Sequence, residues 1–167
     1  LIQFNGQVAG FTSIGATAEV TFRKYANPTP GLWGHIKEAL QMPNFSPWKI
    51  KLHLIDGVGP EGKKFSELTL EERIFDCVIN KTQHFGYSWL VAPLARVDDG
   101  YLDITLFQLS GWQYLLSFPL NYFGLLQKFQ KHYKAKEVYL QGKNLPLQYN
   151  GEPFAYCQNV HFQVLLR

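Results

Sequence analysis

Apolar and polar residues alternate cleanly over residues 48–55, WKIKLHLI. Trp48, Ile50, Leu52 and Leu54 fall on one side, and Lys49, Lys51 and His53 on the other. A period of two is that of a strand with one wet face. The same period over residues 16–21, where Ala16, Ala18 and Val20 alternate with Thr17, Glu19 and Thr21, predicts a half-buried strand; residues 160–166 repeat it as a closing strand. Residues 2–8, 73–80, 89–91, 137–140 and 146–149 read as further strands. Residues 101–109 are almost continuously apolar, as a strand buried on both faces would be. The polar, glycine-rich residues 56–72 read as a hairpin connection or an insertion.

Two stretches have helical spacing. After the breaker Asn27-Pro-Thr-Pro-Gly31, residues 32–42 place Leu32, Ile36, Ala39 and Leu40 on one face, and Pro43 stops the run. Residues 111–126 are aromatic-rich, a helix that Pro119 kinks or breaks. Many short strands with two helical stretches predict a mainly β fold, all-β or α+β: a two-layer antiparallel β-sandwich carrying one or two packed helices, as a single domain over residues 1–167.

Composition narrows the function. Hydrophobic residues make up 46% and aromatic ones 16%, ample for a packed core. Sixteen Lys and Arg against thirteen Asp and Glu give +3, too weak for a nucleic-acid partner but compatible with an anionic membrane surface. Cys77 and Cys157 have no metal-binding spacing and read as free thiols in a reducing, cytoplasmic setting, with a single disulfide between them left open. No secretory leader is evident, nor an apolar run near the roughly 20 residues of a membrane helix. Phosphate-loop patterns, a Gly-x-Ser-x-Gly elbow and a metal-like histidine spacing are all missing.

The candidate chemistry lies in two turns. Asp98-Asp99-Gly100 precedes a buried strand, and Asn150-Gly151-Glu152 follows one. Both are strong hairpin signals. A turn that offers a carboxylate and inward carbonyls can also hold a hard cation, through Asp99 or Asp98. A third feature is the aromatic crowd over residues 111–133, closed by Lys128, Lys131, Lys134 and Lys136. It reads either as packing over the sheet beside a solvated lysine face, or as a membrane-interface segment.

The order of these motifs resembles the C-terminal half of the lipid kinases of the diacylglycerol kinase and sphingosine kinase group. That family carries a Pro-Asp-Ala-x-x-x-Asp-Gly-x-Leu-Asp run and later an Asp-Gly-Glu. This chain keeps Ala92, Pro93, Ala95, Asp99, Gly100, Leu102 and Asp103 of the first, with Leu94 in place of Asp. It keeps Gly151 and Glu152 of the second, with Asn150 in place of Asp. Residues 11–20, FTSIGATAEV, are similar to the family's Gly-x-x-Ala-x-Val segment, and His84-Phe85-Gly86 to its aromatic-glycine run.

The resemblance implies the following. This chain is the C-terminal domain of an ATP-dependent lipid kinase, inactive alone. An N-terminal domain outside the chain carries the nucleotide-phosphate loop, so the chain is a piece of a longer protein. A structural Mg²⁺ sits on Asp99 with the carbonyls of Arg96 and Tyr101. Gly151 and Glu152 face the bound ATP, and the catalytic positions are Asn150 and Glu152, although an amide at 150 has no useful basicity. The partners are a lipid at a membrane surface, ATP and the N-terminal kinase domain. A homodimer through a sheet edge is left open, as is a non-catalytic lipid- or protein-binding module that keeps the fold. Kinship with the NAD kinases is more distant.

Overall fold

The computed structural model describes residues 1–27, 29–126 and 130–165. In chain order its elements are β1 (Ile2–Phe4), β2 (Gln7–Ala9), β3 (Phe11–Gly15), α1 (Ala16–Ala26), α2 (Gly31–Ala39), β4 (Trp48–Val58), β5 (Lys64–Ile74), β6 (Asp76–Asn80), the two-residue strands β7 (His84–Phe85) and β8 (Trp89–Leu90), β9 (Leu102–Phe107), α3 (Gly111–Tyr122), β10 (Lys131–Tyr149) and β11 (Glu152–Val164). The fold is mainly β, as the alternation predicts.

Strand β10 belongs to both layers of a sandwich. Its middle pairs with β4 on one side and β11 on the other, giving a layer in the order β5-β4-β10-β11-β1-β2. Its first residues pair with β9 and its last with β3. With β6 between them these form the second layer, β3-β6-β9. The interior between the layers is Ile50, Leu52 and Leu54 of β4, Val138 and Leu140 of β10 and Phe162 of β11, facing Ile14, Cys77, Ile79 and Ile104. The outer face of the second layer is also covered. Val78 and Phe107 pack there with Ala16 and Val20 of α1, Tyr114 of α3 and Trp89. Covered on both faces, β6 and β9 are buried throughout, which is why their sequences are nearly continuous apolar runs.

Four expectations change. Residues 16–21 form the first turns of α1, not a strand. Ala16 and Val20 lie four apart and share the buried face, and Glu19 pairs with Arg23 at 2.9 Å along the helix. Most of residues 56–72 is strand: β5 pairs with β4 from Lys64 to Ile74, so only residues 59–63 are the hairpin loop. The run 73–80 breaks at Phe75, where β5 ends before β6 begins. The strands foreseen at 137–140 and 146–149 are one strand, β10, with a register shift between Gln141 and Leu145. The closing strand is β11, and Leu166 lies outside the described residues. Helix α3 opens on a capping box at Ser110 and Gln113 and runs through Pro119. The outer edges are a three-residue strand, β2, and β5, which carries Lys64, Glu67, Glu71 and Glu72; both features discourage edge-to-edge pairing. Both cysteines are free. No helix among the described residues is long and apolar enough to cross a membrane.

Candidate functional site

Asn150 and Gly151 both have left-handed φ, 48° and 86°, as a two-residue turn joining β10 to β11 requires. The Asn150 side chain has a structural task. Its Oδ1 accepts the Gly10 N–H at 3.0 Å, while the main-chain N–H of Asn150 donates to the Phe11 carbonyl at 3.1 Å. The turn is thereby tied to the start of β3. Glu152, the next residue, is exposed.

Behind the turn a polar network runs into the protein. The Gly151 N–H donates to Gln148 Oε1 at 2.9 Å, and Gln148 Nε2 donates to Ser13 Oγ at 2.9 Å. The hydroxyls of Ser13 and Thr17 lie 2.8 Å apart. The Thr17 hydroxyl reaches Asp76 Oδ2 at 2.8 Å, and Tyr114 donates to the same oxygen at 2.9 Å. Asp76 is fully buried, and burial pushes its carboxyl up to about 7 in spite of these hydrogen bonds.

The second turn lies in the loop of residues 92–101. The Arg96 carbonyl, Asp99 Oδ1 and the Tyr101 carbonyl converge on one point. The group at that point is the ammonium of Lys81, at 2.7, 2.6 and 2.6 Å. Asp98 points away: it is exposed and meets Arg96 Nε at 3.2 Å. Mg²⁺ takes oxygen ligands at about 2.1 Å in an octahedral set. Such an ion would lie in contact with the ammonium among the same three oxygens, so with Lys81 in place Arg96, Asp99 and Tyr101 do not fit Mg²⁺. Lys81 follows directly on β6, and its own N–H donates to the Gly10 carbonyl at 3.0 Å. Gly10 thus bonds both to the Asn150 turn and to the main chain of Lys81.

The lysines that close the aromatic stretch are ion-paired rather than arrayed along one open face. Lys131 meets Glu72 at 2.8 Å, Lys134 meets Asp99 at 2.7 Å and Asp103 at 3.3 Å, and Lys136 meets Asp56 at 3.4 Å. Lys128 lies outside the described residues. Burial pushes the Asp103 carboxyl up to about 6, against the pull of Lys134.

Beside the Asn150 turn a cleft of about 370 Å³ opens between the helices and the outer face of the second layer. Val20, Leu32, Ile36, Ala39, Met42, Phe85, Trp89, Phe118 and Tyr122 are among its lining residues. Its few polar neighbours include Thr17 and Gln148, and Gly151 of the turn also lines it. The cleft is therefore mainly apolar; Thr21 and His35 are further polar neighbours, and Gly151 brings its lining to the turn. Leu32, Leu40 and Tyr87 of its lining are more than half or about half exposed, so it opens to the surface. Sequence reasoning found both turns but missed Lys81, Asp76 and the cleft. A lysine after an apolar run and an aspartate within one carry no local sign of partners that far along the chain.

The model of the family described as YegS C-terminal NAD kinase beta sandwich-like domain matches residues 14–164. No curated protein matches the chain by sequence. Among solved structures, two from Bacillus anthracis str. Sterne that are named as diacylglycerol kinases share the fold. One has a TM-score of 0.64 at 16% identity, covering 98% of this chain and 52% of the other. The second has a TM-score of 0.56 at 14% identity, covering 97% and 49%. The chain thus spans about half the length of the structures it matches.

Proposed function

Because this chain belongs to the family of YegS C-terminal NAD kinase beta sandwich-like domains, we propose that it is the lipid-holding domain of an ATP-dependent lipid kinase of the diacylglycerol kinase type. The observation that carries this reading is the apolar cleft, whose lining reaches the Asn150-Gly151-Glu152 turn at Gly151. A cleft lined by aliphatic and aromatic side chains suits the hydrocarbon part of a lipid and not a nucleotide phosphate. A hydroxyl carried at the end of that hydrocarbon would come to rest near Thr17, Gln148 and Gly151.

Phosphoryl transfer asks for positioning, neutralisation of developing charge and a group that accepts the hydroxyl proton. The cleft supplies the positioning. Glu152 is the carboxylate at the turn and takes the proton in this reading. Asn150 cannot, since a neutral amide is no base and its oxygen already accepts the Gly10 N–H. ATP with Mg²⁺, when bound, supplies the phosphoryl group and offsets its charge. We assign their binding mainly to an N-terminal kinase domain beyond this chain, a reading supported by the half-length match to the two solved structures. The exposed apolar residues Leu32, Trp33, Leu116 and Leu120 favour action at a membrane surface, with the protein cytoplasmic and peripheral.

The commitment of Asn150 to a structural bond favours a second reading, a lipid-binding module without chemistry. One assay separates the two. The intact protein is given γ-labelled ATP, Mg²⁺ and vesicles of a total lipid extract, and the lipids are then resolved by chromatography. A labelled lipid is expected, with Glu152→Gln lowering kcat about 100-fold at an unchanged melting temperature. A folded intact protein that labels no lipid, yet binds the vesicles, would establish the binding module instead.

A further inference from the structure

The ammonium of Lys81 has three N–H donors, and all three are used, on Arg96 O, Asp99 Oδ1 and Tyr101 O. The side chain is 2% exposed. A buried lysine is retained only where its charge is paired and its donors satisfied. Here the pairing is complete. Asp99 Oδ1 also accepts the Tyr101 N–H at 3.1 Å, and Asp99 Oδ2 takes Lys134 at 2.7 Å. Lys134 in turn reaches Asp103 at 3.3 Å. Two ammonium groups face two carboxylates, so the cluster is neutral as it stands. A divalent ion added to it would leave two positive charges unbalanced in a partly desolvated site.

We propose that Lys81 is a built-in cation: its ammonium occupies the place a divalent metal would take in the loop of residues 92–101, and the loop keeps its order without free Mg²⁺. The ligand set is one a hard cation would accept, a carboxylate oxygen with two main-chain carbonyls from the same loop. The difference is that a side chain, unlike an ion, neither exchanges with solvent nor leaves when a chelator lowers the ion's activity. The main chain at Lys81 is also fixed, its N–H donating to the Gly10 carbonyl, while the Gly10 N–H donates to the Asn150 side chain. The inference does not rest on the kinase reading, since it concerns the order of a loop and not turnover.

Trypsin provides a local readout, because Arg96 lies in the loop and is exposed. The intact protein is digested in chelator and in millimolar MgCl₂ without nucleotide, cleavage after Arg96 is followed by mass spectrometry, and melting is recorded in both buffers. The wild-type protein is expected to be cut after Arg96 at the same rate in both. Lys81→Ala is expected to melt roughly 10 °C lower in chelator. It should also be cut at Arg96 roughly tenfold faster, with Mg²⁺ slowing the cut because the vacated oxygens accept it. Chelator-accelerated cleavage of the wild-type loop would overturn the proposal, whether or not the alanine variant folds. A Lys81→Ala loop as resistant as the wild type in chelator would overturn it too.

Discussion

A carboxyl shut away from water titrates where its neighbours put it, and Asp76 is the clearest instance. Its side chain is fully buried under α1 and α3, with Thr17 and Tyr114 as donors, and burial raises it from the ordinary 3.8 to about 7. The folded protein therefore holds a proton that the unfolded chain releases. For an acid raised in this way, stability is greatest below the ordinary value and declines as pH climbs from about 4 to about 7. Asp103, raised to about 6, adds a smaller slope of the same sign; Asp99, held low by Lys134 and Lys81 against its own burial, acts only below about pH 4, where its contribution is lost as the pH falls. Asp76→Asn keeps the size of the side chain and removes the titration. Urea unfolding across that pH range is expected to show a decline of roughly 2–4 kcal/mol in the wild type and a flatter line in Asp76→Asn. Equal slopes would mean the carboxyl is ionised in the fold. None of this was legible locally. Asp76 sits in RIFDCVIN, which reads as a strand, and its partners lie 59 and 38 residues away. Lys81 is 18 residues from Asp99, so the oxygens of the loop could be named from its turn chemistry while the cation among them could not.

At the scale of elements, the pattern of residues was a good guide wherever one face was wet. The alternation over residues 48–55 became β4, and the unbroken run of β9 became a strand covered on both faces. The guide failed in two instructive places. Strand β5 has charged residues on both sides because it is an outer edge, so its period was masked. Residues 16–21 alternate over too short a span to separate a strand from a helix, and the deciding residue precedes them. Gly15 has φ 115°, and a Cβ there would stand 2.6 Å from the Phe75 carbonyl oxygen. The chain turns on that glycine from β3 into α1, which brings Thr17 over Asp76. Gly15→Ala meets both a left-handed backbone and a close carbonyl, so it is expected to destabilise the protein by roughly 2–4 kcal/mol in denaturant unfolding. A loss below about 0.5 kcal/mol would mean that the junction shifts freely.

The whole molecule has a property that no single element has. A sandwich closed by β10 leaves its second layer with an outer face to cover, and α1, α2 and α3 cover it only in part, leaving the cleft. Sequence could supply the layers, because alternation reports which side of a strand is dry. It could not supply the cleft. The spacing of Leu32, Ile36, Ala39 and Leu40 is the same whether a helix face seals a core or lines a cavity, and only their partial exposure in the fold tells the two apart. This gives the lipid reading a test that leaves the turns untouched. Ala39 lines the cleft on α2, outside the turn that carries Glu152, and Ala39→Trp would fill the space with an indole. If the cleft holds hydrocarbon, the variant should raise the KM for a long-chain lipid about tenfold or more, since a few lost methylene contacts are enough for that factor. On that reading, which assigns the nucleotide to an N-terminal domain, the KM for ATP should stay as it was, and a short-chain lipid that leaves the cleft half empty should suffer less. A general loss of folding would affect both substrates and both chain lengths together. An unchanged long-chain KM in a folded variant would remove the cleft from the acceptor site and leave the Asn150 turn without a lipid to serve.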